Sequence, residues 1–397
     1  MRSIVDVRSV ALTVLLVACL PVQAAPFTPG NDNEVVERLP LAGDPSARRV
    51  ESLRKQLAAR PGDGALRVEI ARRYFDLAMA QGDPRLVGYA SAAIAPLAAG
   101  AGGNAGYWLV HGQLQQYSHG FEAALASLAK AAQLDPSSSE PLSWRAAIFM
   151  VQARYAEAQA ECERLAPLAD PLIGIGCINY VRATTGQLEA AFNTVSQAVK
   201  TAPQADPGLR LWLLTRLGEM AGRLQRHEAA EGYFKDALRL GITDQFLLGV
   251  YADFLLARQR PAEVMKLLAD WERSDILLLR LALAGQAASD PRAAGWAAQL
   301  RDRFQAAALR GDRLHEQEAA RFELDIERNP AKSLPLAASN YKIQNEPRDA
   351  MMLLQAALAS GQPNAAQPAL DWLRTSRYED PAFDKVAEQL AARGAKR

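Results

Sequence analysis

The 397-residue chain has almost no net charge, and this excludes several classes of function. Lysine and arginine number 45, against 44 aspartate and glutamate residues. A neutral chain has no general electrostatic attraction to nucleic acid or anionic lipid. Apolar residues make up 49% and charged residues 22% of the chain. That balance excludes a wholly disordered chain, a collagen-like chain and a protein with many membrane spans.

The chain also has few residues of the kinds that support catalysis or metal binding. It has four histidines, none at a spacing typical of a metal site. His315 and Glu316 resemble the start of a metalloprotease helix, but position 319 is Ala where that motif needs a second histidine. No Gly-x-Ser-x-Gly elbow or Gly-Lys-Ser/Thr phosphate loop occurs. We therefore expect no metal, no cofactor and no enzymatic activity, with a composite catalytic site as the third hypothesis.

The amino terminus has the pattern of a secretory signal. Residues 1–24 combine a short charged start, an apolar stretch over residues 10–20 and small residues ending at Ala24. The apolar stretch is too short to span a bilayer, so we expect no integral span in the mature chain. We predict cleavage after Ala24, a flexible leader over residues 25–45 and a periplasmic location in a Gram-negative-type cell.

Two other interpretations of this segment remain open. Leu16 to Cys19 resembles a bacterial lipobox, and in that case Cys19 would be the lipidated first residue of an anchored envelope assembly factor. Alternatively, Cys19 is only a small apolar member of the signal core.

Within the rest of the chain, residues recur at a fixed spacing. In a unit starting at Ala105, Trp108, Gly112, Ala124 and Pro136 fall at positions 4, 8, 20 and 32. Further units start at residues 139, 172, 211 and 245, so the steps are 34, 33, 39 and 34 residues. Small residues at positions 8 and 20 let two antiparallel helices approach closely, while larger residues fill the space between layers.

This pattern resembles the tetratricopeptide repeat, a helix-turn-helix unit of roughly 34 residues. The resemblance implies an all-α fold, a right-handed α-solenoid of stacked helix pairs, because no unit buries its apolar face alone. We divide the chain into N-terminal helical hairpins (46–104), five repeat units (105–274), degenerate helical repeats (275–330) and a C-terminal unit with capping helices (331–397). A good unit starts at Ala331.

The resemblance also implies a concave groove lined by the first helix of each unit. The family's groove positions correspond here to the following partner-binding candidates: Gln113, Gln116, Tyr117, Met150, Tyr180, Trp212, Glu219, Arg223, Phe246 and Asp253. Members that bind chaperone tails use a clamp of lysines and asparagines at several of these positions. This chain lacks that clamp, since position 5 of the first unit is Leu109 and that of the third is Gly176.

After signal cleavage two cysteines remain, Cys162 and Cys177. The repeat register places them on adjacent helices of neighbouring units, and an oxidising compartment favours a disulfide between them. Two buried free thiols are the alternative, because cysteine packs as a small apolar residue.

These features predict a non-catalytic scaffold or adaptor that binds a protein or peptide partner in its groove. The second hypothesis is a carrier of a small apolar or lipid ligand in the superhelical cavity. An open groove with accessible aromatic residues favours the scaffold, and a closed apolar chamber favours the carrier.

Overall fold

The structure is a computed structural model that describes residues 30–31 and 45–394. Within these residues the chain is helical and has no β-strand. The predicted signal, its cleavage site and Cys19 lie outside the described residues. The α-helices are α1 Pro45–Ala59, α2 Gly64–Gln81, α3 Pro84–Ile94, α4 Ala105–Tyr117, α5 Phe121–Leu134, α6 Glu140–Val151, α7 Tyr155–Leu165, α8 Pro171–Thr184, α9 Leu188–Thr201, α10 Pro207–Arg223, α11 His227–Arg239, α12 Gln245–Ala257, α13 Pro261–Leu267, α14 Asp275–Ala288, α15 Ala293–Leu309, α16 Glu316–Arg321, α17 Pro330–Asn340, α18 Pro347–Ala359, α19 Gln367–Ser376 and α20 Pro381–Gly394.

Short non-α segments extend some of these helices. Three 3₁₀ segments cover Ala95–Gly103, Ala166–Leu168 and Pro363–Ala366, and one π-helical turn covers Phe322–Ile326. The segment Pro84–Gly103, formed by α3 and the first 3₁₀ segment, is the one described helix long and apolar enough to cross a membrane by length and composition. It packs against α2 and α4.

Polar residues set where many helices begin. The Asp170 carboxylate accepts a hydrogen bond from Leu172 N–H at 2.8 Å, and Asp244 accepts one from Leu247 N–H at 2.7 Å. Such caps satisfy backbone donors that have no partner within the helix, and each contributes about 1 kcal/mol. Proline at the first helical position, as at Pro171, adds a backbone already set for the helix.

A left-handed residue marks the turn inside each hairpin of the regular array. These turn residues are His119, Ala153, Gly186, Gln225, Gln259 and Ser289. The residue after each turn position donates back to a carbonyl of the preceding helix, as Arg154 N–H does to Phe149 O at 2.8 Å. This is the Schellman pattern that ends a helix. The first five turns follow the 34, 33, 39 and 34 residue steps of the unit starts.

The hairpins near the carboxyl end have a different phase from the unit predicted to start at Ala331. Left-handed residues at Arg328 and Gly361 join α16 to α17 and α18 to α19. The predicted unit would instead pair α17 with α18. These two helices do pack together, but the turn between them has no left-handed residue. The apolar spacing alone does not distinguish the two pairings, because α17 contacts both neighbours.

Small residues allow the helices of a pair to approach closely. A Cβ added at Gly112 would lie 2.7 Å from Leu128 Cγ, and one added at Gly218 would meet the Phe234 ring. Phe234 is 2% exposed in an apolar core that runs continuously from α8 to the π-helical turn. Stacking therefore buries a shared core that no single hairpin could form.

Cys162 on α7 and Cys177 on α8 form a disulfide in the structure, with their Cα atoms 5.5 Å apart. The bond crosses from the second helix of one hairpin to the first helix of the next, so it covalently joins two neighbouring units.

Candidate functional site

Helices of the array and of the C-terminal part of the chain line a partly open cavity of about 1650 Å³, which we call the chamber. One wall consists mainly of side chains from α8, α10, α12 and α14, with a few from α2 and α11. The other wall consists of side chains from residues 317–393. Hydrogen bonds between distant parts of the chain hold the C-terminal helices against α6 and α7. Asn345 N–H donates to Val151 O at 2.7 Å, and Trp372 Nε1–H donates to the Tyr155 hydroxyl at 2.7 Å.

Arg216 is held between two aromatic rings at the floor of the chamber. Its guanidinium carbon lies 4.2 Å from the centroid of Tyr180 and 4.5 Å from that of Phe246. An ion pair with Glu219 at 2.8 Å completes its surroundings. Cation–π contacts of this kind are strongest when the charge is desolvated, and the Arg216 side chain is 17% exposed. The group is therefore a rigid, largely neutralised part of the floor.

Asp253 connects the two walls. Its carboxylate accepts from Arg280 of α14 at 2.6 Å and from Arg321 of α16 at 2.8 Å. Burial alone would raise the pKa of Asp253, but the guanidinium groups of Arg280 and Arg321 lower it to about 2. Arg280 lies inside an apolar stretch of α14 and is itself 6% exposed, so its charge depends on Asp253 for compensation.

The segment between α19 and α20 forms the end of the chamber nearest α9. Arg223 lies over the Tyr378 ring at 3.8 Å and donates from Nε to Glu379 O at 3.0 Å. The Glu379 carboxylate accepts from Leu188 N–H at 2.7 Å, at the start of α9. We call residues 378–380 the inserted segment, because it reaches a helix almost two hundred positions earlier in the chain.

Five of the ten predicted groove residues line the chamber: Tyr180, Glu219, Arg223, Phe246 and Asp253. The other five lie elsewhere: Gln113, Gln116, Tyr117, Met150 and Trp212.

The residues outside the chamber belong mainly to the first units, where later helices and neighbouring side chains cover the concave face. Gln113 is 3% exposed and donates to Glu140 at 3.3 Å. Burial, with smaller effects from three carboxylates including Asp312, raises the pKa of Tyr117. Met150 is buried, and Trp212 packs where a Cβ at Gly176 would be.

Several chamber residues were missed by the sequence pattern. Arg216 lies one position beyond a groove position of its unit, so counting positions does not select it. Arg321 falls in a stretch that the charge pattern indicates as a solvated helix face. The inserted segment comes from capping helices that carry no repeat signal. The turn residue Arg328 also lines the chamber.

The chamber is basic although the chain is neutral. Nine arginine and lysine side chains line it, against five carboxylates. Arg258, Arg328 and Lys385 are exposed lining residues that form no ion pair with any described carboxylate. Among the described residues, no group of three or more histidine, cysteine, aspartate or glutamate side chains could hold a metal ion.

No protein-family model matches the chain, and no curated protein matches it. Solved structures do. A Rap protein complexed with competence and sporulation factor has a TM-score of 0.47 and 14% identity, covering 87% of this chain and 99% of that one. Yeast Tom70 has a TM-score of 0.45 and 13% identity, covering 88% and 85%. The Cut9–Hcn1 hetero-tetramer of the APC/C has a TM-score of 0.41 and 15% identity, covering 78% and 52%.

This chain thus spans about half the length of the matched Cut9–Hcn1 chain. The fold assignment itself rests on the helix pairs, their turns and their shared core. By these features the chain is an α-solenoid protein of the tetratricopeptide-repeat type.

Proposed function

We propose that this protein is a non-catalytic scaffold or adaptor that holds a segment of a partner protein in the chamber. The proposal rests on the volume of the chamber, about 1650 Å³. Pockets for small molecules have volumes of roughly 300–1,000 Å³. A segment of polypeptide chain is long enough to fill a chamber of this volume.

The lining chemistry supports a polypeptide over a purely apolar ligand. Tyr180, Phe246 and Phe254 offer ring surface, while the exposed Arg258, Arg328 and Lys385 offer charged hydrogen-bonding groups. Aromatic and arginine side chains are the residues that most often dominate protein-binding surfaces. A wholly apolar ligand would remove water from these charges without offering them hydrogen-bond partners, which is unfavourable. The lipid-carrier hypothesis is therefore the second outcome of the test.

We propose that the protein acts outside the cytoplasm, as the signal-like residues 1–24 indicate. The disulfide between Cys162 and Cys177 supports this location, since such bonds persist mainly in oxidising compartments. Mass spectrometry of the mature amino terminus checks the proposal. A chain starting at Ala25 supports a free periplasmic protein, a diacylated Cys19 supports the lipoprotein alternative, and an unprocessed terminus contradicts both.

Two glycines offer a matched test of the chamber as the binding site. An added Cβ at Gly222 or at Gly232 would meet no neighbouring atom within 4 Å. Gly222 lines the chamber, whereas Gly232 is exposed outside it on α11. A Gly222→Tyr side chain would project into the binding space, and Gly232→Tyr makes the same chemical change where it blocks nothing.

The experiment selects binders from a random-peptide library on the full-length protein and measures their affinity for both variants. We expect the selected peptides to bind wild type and Gly232→Tyr equally, and Gly222→Tyr about tenfold or more weakly, which corresponds to roughly 1.4 kcal/mol. Peptides that bind Gly222→Tyr as well as wild type would contradict the proposal. A lipid that co-purifies with wild type but not with Gly222→Tyr would favour the carrier.

A further inference from the structure

The charged side chains of the chamber form two groups. We call Arg216, Glu219, Asp253, Arg280 and Arg321 the floor, and Arg258, Arg328 and Lys385 the rim. Arg216 pairs with Glu219, and Asp253 pairs with both Arg280 and Arg321. These contacts leave the floor groups with little charge to offer a ligand, because each buried cation already faces a carboxylate.

The rim differs, because its cations face open solvent. Arg258 follows α12, Arg328 forms the turn before α17, and Lys385 lies on α20. All three are exposed and form no ion pair with the described carboxylates. Three separate elements thus place exposed positive charge on the lining of one chamber. Walls of low dielectric concentrate the field of such charges into the space between them.

The inserted segment provides an independent observation of what this end of the chamber holds. Tyr378 stacks on Arg223, and the Glu379 carboxylate binds the N-terminal backbone of α9. Asp380 follows them and also lines the chamber. One aromatic and one acidic residue of the same segment, Tyr378 and Asp380, therefore already line this end of the chamber. The positive end of the helix dipole favours the Glu379 charge.

We propose that the chamber takes an acidic, aromatic-containing segment of the partner protein, bound through Arg258, Arg328 and Lys385. This inference rests on the proposed function and adds the chemistry of the partner. The cations involved come from the end of α12 and from the later part of the chain, at positions different from those of the lysine–asparagine clamp that this sequence lacks. Tyr378 and Asp380 of the inserted segment already place an aromatic and an acidic side chain on the lining of the same chamber.

The test uses a fluorescein-labelled peptide of alternating glutamate and tyrosine and an analogue with glutamine for each glutamate. Fluorescence anisotropy on the full-length protein measures both affinities at low and high salt. We expect the glutamate peptide to bind about tenfold more tightly at low salt, with the difference shrinking as salt screens the rim charges.

A charge-matched pair of triple variants locates the effect. The rim variant carries Arg258→Glu, Arg328→Glu and Lys385→Glu. The control carries Arg182→Glu, Lys200→Glu and Lys342→Glu, which are exposed positions outside the chamber. Both variants change the net charge equally. We expect the rim variant to weaken binding of the glutamate peptide about tenfold or more, and the control to change it less than about twofold.

Each other result overturns the inference. Equal binding of the two peptides, equal loss in the rim and control variants, or no binding of either peptide would show that the rim does not select acidic segments. The proposed function would survive these results if library peptides still bind in a manner blocked by Gly222→Tyr. The proposed function itself would fail if those library peptides bound Gly222→Tyr as tightly as wild type.

Discussion

Different kinds of contact stabilise the repeat array, which runs from α4 to α15, and the closing region, which runs from α18 to α20. In the array, each helix pair packs on its sequence neighbours through apolar cores and small residues. The closing region has its own core around Trp372 and Phe383, and it reaches the array through individual hydrogen bonds and the packing of Ala153 and Tyr155 against that core. Two examples join Trp372 to Tyr155 and Glu379 to Leu188.

This difference has a consequence for the chamber. Stability in a repeat array is approximately a sum of neighbour terms, so one wall is supported along its whole length. The closing region is held to the array by fewer contacts: individual hydrogen bonds, each contributing about 1 kcal/mol, and the packing of Ala153 and Tyr155 against its core. We therefore expect the closing region to open locally while the array stays folded.

Removing the disulfide between Cys162 and Cys177 should have the largest effect on the stability of the array. A Cys162→Ala, Cys177→Ala double variant should lower the free energy of unfolding by about 3 kcal/mol, because the bond closes a short loop in the unfolded chain. Denaturant unfolding followed by circular dichroism measures the change. The reduced wild type serves as the control, and equal stability of oxidised and reduced wild type would contradict the structural role of the bond.

A smaller effect should separate two glycines on the same helix. Gly218→Ala places a Cβ against the Phe234 ring and should destabilise the protein by about 1–3 kcal/mol. Gly222→Ala, one turn later, meets no neighbour within 4 Å and should stabilise the helix by up to about 1 kcal/mol. Thermal unfolding of both variants checks the opposite signs. Equal shifts would mean that close helix approach does not govern packing here.

The fold could be predicted from sequence because its determinants are local. Gly112 and Gly218 recur at one position of the unit, and the structure shows why, since each lies where a second helix passes within contact distance. The site could be predicted only in part. Tyr180, Phe246 and Asp253 lie on first helices that face the chamber. Arg321 and Lys385 line the chamber because the later helices fold back against the array. The repeat spacing does not predict that contact.

The inserted segment allows a test of the weaker wall. Arg223→Ala removes the stacking on Tyr378 and the hydrogen bonds from Arg223 to Ala183 O and Glu379 O. We expect amide hydrogen exchange of residues 378–394 to quicken about tenfold, as loss of about 1–2 kcal/mol of local contacts implies. Arg239→Ala on α11 is the control. The comparison between the walls would be wrong if exchange quickened equally throughout the array.

Acid should produce the smallest effect, at the contact between Asp253 and the arginines of both walls. An aspartate with a pKa of about 2 when folded and about 3.9 when unfolded stabilises the folded state fully above pH 4. That contribution is lost as the pH falls from about 4 to 2, since the unfolded chain then binds the proton more readily. The side chain is 34% exposed, so solvent screening reduces the size of the loss. Unfolding measured across this range should show a steeper decline for wild type than for Asp253→Asn. Parallel profiles would mean that the two arginines leave the pKa of the Asp253 carboxyl unperturbed.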